Sequence, residues 1–369
     1  MKKAEKRTKE TGEFLFKVFL HEALEHEDQL KVDARYNIKY NAIPPLQYQK
    51  IPIGIEVSRK FMGFDLDIRP AQREGIAFME LVGSGIIAYD VGVGKTITAI
   101  IELSSAIKNG KCKRPLIVVP NPTYKNWIKE MFGEGPLQGI LSGTGITLNE
   151  WYNLGSGYDD VDVDSSVDEN SITLVTYEGL NKIGFSSETQ EIHLQSLSTI
   201  LGQDAGTERN KEKELEKFRS IIGVGIKDTI ADVDTLGFDY VVVDEAHNFK
   251  NVFTSVKSDG ENKKHFEIQG GQPSNRAIKL FFLTNYIQRE YGRNVMLLTA
   301  TPFSNSPLEI YSMLSFVAHE YMVKNNIRNI ATFFELYIQG SRHFSRIVSK
   351  LMACGCSTKI GVCMPPSLR

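Results

Sequence analysis

Cysteine is scarce in this chain, and its few copies are unevenly placed. Among 369 residues there are 4 cysteines: Cys112 stands alone, and Cys354, Cys356 and Cys363 crowd the final stretch. Such usage offers no disulfide framework and fits a reducing cytoplasm. Cys354, Cys356 and Cys363 could supply half of a zinc site. No matching His or Cys pair lies near them, so free thiols are expected there. A charge excess of one sign is also missing. Lys+Arg 43 against Asp+Glu 45 leaves a net charge of −2, so there is no global basic footprint, and any nucleic-acid contact must use a local patch. No apolar run approaches the roughly 18–20 residues of a membrane span. The N-terminal "MKKAEKRTKETGEFLFKVFLHEAL" starts basic, but Lys17 interrupts its apolar stretch and no small-residue cleavage site follows. It reads as a soluble helix, not a signal peptide.

What remains is an ordinary soluble composition, 41% hydrophobic and 24% charged. The length suits two domains of about 100–200 residues each, or one large domain with insertions. Residues 1–60 read as a charged helix followed by an extended connector marked by Pro44, Pro45 and Pro52. From about residue 66 short β-rich runs alternate with helical patterns. The runs are "GIIAY" (85–89), "PLIVVP" (115–120), "ITLVTY" (172–177), "FDYVVVD" (238–244) and "NVMLLTA" (294–300). The last two are nearly continuous apolar runs, as expected for strands covered on both faces. Strands alternating with helices predict a parallel α/β sheet. Two insertions interrupt it. The stretch 155–170 is acidic and Gly/Ser-rich, hence a surface loop; 202–236 includes a highly charged helix, solvated or an interaction arm. The polar stretch 262–275 is expected to be a mobile loop.

Four segments carry the chemistry. "AYDVGVGKT" (88–96) lies between a strand pattern and the helical "KTITAIIELSSAI". The glycines therefore sit at a strand-to-helix turn, where backbone N–H groups and the helix dipole favour phosphate. The candidate phosphate loop is Asp90, Val91, Gly92, Val93, Gly94, Lys95 and Thr96: Gly92 and Gly94 allow close approach, Lys95 can reach the β/γ-phosphates, and the Thr96 hydroxyl can ligate Mg²⁺. The first glycine of the full pattern would fall at Tyr89, which should instead end the buried strand as a packing residue. "FDYVVVDEAHN" places Asp244 and Glu245 at the C-terminal end of a buried strand, the edge where open α/β sheets bind ligands. One carboxylate there can hold Mg²⁺ and the other can orient and deprotonate a water; read alone, the pair could equally cap the next helix. Gln72, in "DIRPAQREGIAFM", has a carboxamide matching the N6/N7 edge of adenine, yet alone it is a polar residue on an amphipathic helix. "LLTATPFSNSPLEIYSML" ends a strand in Thr299-Ala300-Thr301-Pro302, where short hydroxyls can sense the phosphate region through His247 or water.

Together these segments resemble, in family order over about residues 60–320, the first RecA-like lobe of a superfamily-2 helicase/translocase of the Swi/Snf-like branch. "IRPAQREGIAFM" is similar to the adenine-sensing Q motif and "DVGVGKT" to motif I. "PLIVVPNPTYKNWIKEM" resembles motif Ia, "LVTYEGL" motif Ib, "VVDEAHNFKN" motif II and "LLTATPFSNSPLEIYSML" motif III. The resemblance implies a RecA-like P-loop lobe over 61–320, with a central, mainly parallel sheet flanked by helices and a helical N-terminal extension. It implies ATP with Mg²⁺, Gln72 reading adenine, Asp244 and Thr96 on the metal, and Glu245 as catalytic base with Lys95. His247, Thr299 and Thr301 would couple nucleotide state to double-stranded DNA. Backbone contacts to DNA would come from Pro120, Asn121, Thr123 and Thr176, with Lys125 adding charge; hydroxyls and N–H groups suit phosphate contact. "YNIKYNAIPP" and "TPFSNSPLEIY" also resemble large bacterial mobile-element proteins that join such a translocase to an adenine-specific DNA methylase. Family members use a second RecA-like lobe, and about 50 residues after motif III are too few for one. Segment 321–369 continues with a helix (331–340) and then a basic, cysteine-rich tail unlike the rest, so a truncated or shifted frame near residue 340 is expected. The alternatives are a non-hydrolysing nucleotide-binding or regulatory module and a restriction-system motor subunit.

Overall fold

A computed structural model describes residues 48–151, 166–201, 231–253, 255–258, 266–269, 274–302, 306–327, 329–338 and 352–353, with scattered positions between 11 and 35. The chain divides into Met1–Gln47 and Tyr48–Arg369. In the first unit the described positions are almost all helical, and Phe14, Leu15, Phe19 and Val32 are exposed. The tail, the stretch 152–165 and the charged helix expected near 207–226 lie outside the described residues, Met352 and Ala353 excepted.

The second unit is built on seven strands: β1 (Ser84–Ile87), β2 (Pro115–Val119), β3 (Thr147–Trp151), β4 (Ser171–Thr176), β5 (Tyr240–Val243), β6 (Val295–Leu298) and β7 (Met352–Ala353). They form one sheet in the order β7-β1-β6-β5-β2-β4-β3, and every pairing is parallel. The helices are α1 (Pro70–Val82), α2 (Lys95–Lys108), α3 (Tyr124–Phe132), α4 (Ser187–Leu201), α5 (Asn275–Tyr291), α6 (Pro307–Val317), α7 (His319–Lys324) and α8 (Ile330–Ile338). The five strands expected from apolar runs are all present. β3 was not foreseen: "TLNEW" is half polar because it lies at the sheet edge, with Asn149 donating to Ser171 and Thr173 on β4.

The inner strands feed both faces of the sheet, which is why their sequences are nearly continuously apolar. Ile117, Val119, Leu174, Tyr240, Val242, Met296 and Leu298 face α1, α2 and α3, meeting Phe78, Ile101 and Trp127. Their neighbours Leu116, Val118, Val175, Val241, Val243, Val295 and Leu297 face α5 and α6, meeting Phe281, Leu283 and Phe316. Burying each such side chain is worth about 1.5–3 kcal/mol, so the sheet edge is anchored by two cores. Pro70 opens α1 at its first position and Pro307 opens α6, where the missing N–H costs nothing. The Ser306 hydroxyl caps α6 by accepting from Leu308 N–H. Tyr48, Ile53, Ile55 and Val57 pack on the α1/α2 side, so the end of the connector belongs to this core.

The segment expected as a mobile loop at 262–275 contains a strand, Phe266–Gln269. Phe266–Gln269 pairs antiparallel with Ser255–Ser258, setting Val256 opposite Ile268, and Ile268 packs against the α5/α6 core. The alternation of Phe266 and Ile268 with polar residues is a strand period that the surrounding glycines and polar residues obscured.

Candidate nucleotide site

All the segments singled out above meet at the C-terminal edge of the sheet. Along it, in order, the phosphate loop follows β1, Thr299–Thr301 follows β6, Asp244–His247 follows β5, Pro120–Thr123 follows β2, and Tyr177 follows β4.

The loop begins at Tyr89, which is 1% exposed as expected of a strand-ending packing residue. Its hydroxyl donates to the Ala71 carbonyl at 2.5 Å and sits directly over Gly75 of α1. Its carbonyl accepts from Lys95 Nζ at 3.1 Å. The lysine ammonium is thereby curled back toward the start of the loop. Gly92 and Gly94 have φ of +84° and +96°, a region that side chains disfavour. Gly94 is also the N-cap of α2, and Thr98 Oγ1 donates to its carbonyl at 3.0 Å. Asp90 and Val91 are exposed, while Val93, Lys95 and Thr96 are half-buried. Gln72 is brought to the loop but is only 2% exposed. Its Oε1 accepts from Arg69 N–H at 2.9 Å and its Nε2 donates to the Val93 carbonyl at 3.2 Å. In this structure the carboxamide thus fastens α1 to the phosphate loop.

Across β6 lies the acidic pair. Asp244 is 6% exposed; its Oδ1 accepts from Glu245 N–H at 3.0 Å and its Oδ2 from Trp127 Nε1–H at 2.9 Å. Burial pushes its carboxyl above the usual carboxylate range, the Trp127 hydrogen bond opposes this, and Lys95 also lowers it. Glu245 is held in the left-handed region at φ +47°, ψ +48°, and its side chain makes no helix cap. Capping is therefore not what this pair does. A buried phenol holds the strained turn: Tyr177 Oη donates to the Asp244 carbonyl at 2.7 Å, and Asn248 Nδ2 donates to the Glu245 carbonyl at 3.1 Å. Burial raises the Tyr177 hydroxyl's pKa further, so it stays a donor. His247 Nδ1 lies 3.2 Å from both Glu245 Oε2 and Thr299 Oγ1, and Thr299 Oγ1 accepts from Thr301 N–H at 3.1 Å. The chain Glu245–His247–Thr299–Thr301 is continuous. Lys250 forms a buried ion pair with Glu309 of α6 at 3.1 Å, tying the acidic turn to the helix that follows Thr301.

Of the expected backbone-contact residues, Asn121 is exposed, Pro120 and Thr123 are half-buried, and Lys125 is exposed. Thr176 is not on the surface. It is fully buried, and its Oγ1 accepts from Gly179 N–H at 3.1 Å, capping the turn Tyr177–Leu180. Its place at the end of an inner strand, not its hydroxyl chemistry, decides that role. Trp127 and Tyr177 are the site residues that motif reading passed over. Both lay inside quoted motifs; an indole within the charged helical segment "YKNWIKEM" and a phenol ending the strand "ITLVTY" were the available signal.

These residues can accommodate a nucleotide with its cation. Magnesium takes one or two carboxylates and completes its shell with water and phosphate oxygens, which suits one buried carboxylate and one hydroxyl. Among the described residues no cluster of three or more His, Cys, Asp or Glu could hold a metal alone.

Fold and site define a RecA-like α/β lobe with a candidate phosphate loop after β1 and an acidic box after β5 on one sheet edge, with β6 between them. Residues 169–354 match the family described as "Probable helicase domain", half of the chain. The chain belongs to that family, as a Swi/Snf-like superfamily-2 helicase lobe. It is similar to the defense against restriction protein B of Escherichia phage P1, 25% identical over 348 residues, covering 82% of this chain and 15% of that protein. It is also similar to the mouse SWI/SNF-related matrix-associated actin-dependent regulator of chromatin subfamily A containing DEAD/H box 1. There the identity is 39% over 70 residues, 18% of this chain and 7% of that protein. A solved structure, the Sulfolobus solfataricus SWI2/SNF2 ATPase core in complex with dsDNA, matches with a TM-score of 0.40 and 18% identity, covering 78% of this chain and 44% of that one. The chain thus spans a minor part of the relatives it matches. Among the described residues no helix is long and apolar enough to cross a membrane.

Proposed function

We propose that this chain is the ATP-binding first lobe of an ATP-dependent DNA translocase. It binds ATP with Mg²⁺ between the phosphate loop and the acidic pair and, with a second RecA-like lobe, couples hydrolysis to movement on duplex DNA. The observation that carries the reading is convergence. Lys95, Asp244, Glu245, His247, Thr299 and Thr301 lie far apart in sequence, yet they follow three adjacent strands, and the last four are joined by short contacts.

Each group has a task its chemistry suits. The N–H groups around Gly92 and Gly94 and the Lys95 ammonium cradle the β- and γ-phosphates. The Thr96 hydroxyl and Asp244 would hold Mg²⁺, which when bound would neutralise phosphate charge. Glu245, 35% exposed at its side chain, orients the attacking water and takes its proton. His247 lies against Glu245 and Thr299, so a change at the γ-phosphate can reach Thr301 at the surface. Asn121, Thr123 and Lys125 offer neutral and cationic donors to a DNA backbone. The partners proposed are duplex DNA, the second lobe and an adenine-specific DNA methylase module. The phage P1 relative, named for defense against restriction, supports a setting of mobile DNA.

Binding of a fluorescent ATP analogue and phosphate release, with and without duplex DNA and an added second lobe, test the reading. Mg²⁺-dependent binding that Lys95→Ala abolishes is expected, with turnover that Glu245→Gln removes while binding persists. Nucleotide binding with no DNA affinity in any combination would favour the regulatory alternative.

A further inference from the structure

Both carboxylate oxygens of Asp244 are held, but by donors of different origin. Oδ1 takes the N–H of the next residue, Glu245; Oδ2 takes the indole N–H of Trp127, on another element. Trp127 is 1% exposed and sits in the first turn of α3, which starts directly after the turn Asn121–Thr123. That helix is pinned on both sides: Tyr124 Oη donates to the Leu174 carbonyl at 3.3 Å, and Leu141 N–H donates to the Met131 carbonyl at 2.7 Å. An indole N–H can only donate, does not ionise, and cannot turn away once the ring is packed. Apolar packing at this position requires a ring but no nitrogen. The nitrogen therefore has one evident use, to fix the rotation of a carboxylate whose charge is felt by Lys95 of the loop.

We propose that Trp127 is a positioning residue for the Asp244 carboxylate, aiming it at the cation of a bound nucleotide. This rests on the reading of the site as one for ATP with Mg²⁺. Groups that orient a metal ligand from behind typically change metal affinity by about 10–100-fold when removed. The same bond makes α3 a rigid link between the Asn121–Thr123 turn and the acidic pair.

Trp127→Phe keeps the ring and removes the donor. The Mg²⁺ concentration giving half-maximal binding of a fluorescent ATP analogue should rise by about 10–100-fold. At saturating Mg²⁺ the nucleotide affinity should return to the wild-type value, which also establishes that the variant is folded. In an Asp244→Ala background the substitution should add nothing, because the two residues act as a unit. Without nucleotide or metal, the indole N–H resonance of Trp127 should move on Asp244→Ala, while that of Trp151, the other of the 2 tryptophans, should not. An unchanged Mg²⁺ requirement in Trp127→Phe, an equal loss with and without Asp244, or an unmoved Trp127 resonance would each overturn the assignment. A wild-type chain that binds no nucleotide with Mg²⁺ would overturn the function itself and this role with it.

Discussion

Two glycines of the phosphate loop should respond very differently to the same methyl group. At Gly92 and Gly94 the backbone has φ of +84° and +96°, so alanine at either costs about 1–2 kcal/mol for a left-handed conformation. At Gly92 a Cβ would meet nothing within 4 Å, and strain is the whole cost. At Gly94 it would lie 2.2 Å from Gln72 Nε2 and 3.3 Å from Gln72 Cδ. Gln72 is 2% exposed and tied at both ends of its carboxamide, to Arg69 N–H and to the Val93 carbonyl. Moving it breaks two hydrogen bonds worth about 0.5–1.5 kcal/mol each. Gly94→Ala should therefore destabilise by about 2–5 kcal/mol and Gly92→Ala by about 1–2 kcal/mol. Equilibrium urea unfolding reads both, provided the slope with urea is unchanged. In a Gln72→Ala background the cost of Gly94→Ala should fall to that of Gly92→Ala. Equal costs for the two glycines, or no relief from Gln72→Ala, would refute the reasoning.

Two further outcomes follow from buried contacts away from the chemistry. Gly75 lies inside α1, where alanine normally stabilises a helix by about 1 kcal/mol; here its Cβ would lie 2.2 Å from the Tyr89 hydroxyl, so Gly75→Ala should destabilise. Adding Tyr89→Phe should relieve part of that cost but not all of it, because Thr98 Cγ2 and the ring carbon Cζ of residue 89 also lie 3.1 Å from that Cβ, as unfolding of the pair would record. Glu102 of α2 is 2% exposed, its Oε2 has no hydrogen-bond partner, and burial pushes its carboxyl well above the usual range, with Arg293 opposing. A carboxyl raised on folding contributes stability that is full below its unfolded pKa and is lost as pH rises through the folded value. Wild-type stability should thus fall relative to Glu102→Gln as pH rises above the ordinary carboxylate range, and parallel unfolding curves would exclude it.

The parallel sheet and its strands were legible because burial on both faces writes a continuous apolar run, as in Tyr240–Val243 and Val295–Leu298. The strand-to-helix turn after β1 was legible because Gly92 and Gly94 are demanded by backbone angle, a requirement no other residue type meets cheaply. Edge strand β3 was not, since one-sided burial leaves "TLNEW" with the texture of a loop. Nor was the pairing of Ser255–Ser258 with Phe266–Gln269, because neighbouring glycines and polar residues in the sequence mask a short alternation. Within the site, carboxylates and hydroxyls announced themselves by type, but their supports did not. Gln72 was read for what it can offer a base, whereas in the fold its two amide atoms join α1 to the loop. Thr176 was read as a surface hydroxyl, whereas the inner position of β4 makes it a cap.

The order of strands explains why the acidic box needs such supports. β5 carries Asp244 and Glu245 between β6, which leads toward the phosphate loop, and β2, which leads toward Asn121–Thr123. A group held only from the nucleotide side could shift without consequence on the other. Here each side has its own bond to the same turn: His247 meets Thr299 after β6, Trp127 reaches Asp244 from the helix after β2, and Tyr177 reaches its carbonyl from the end of β4. Glu245 remains in a left-handed conformation that costs about 1–3 kcal/mol in isolation, a cost that persists only where several partners over-determine the geometry. The turn is therefore the place where displacement of either flank must be felt by the other.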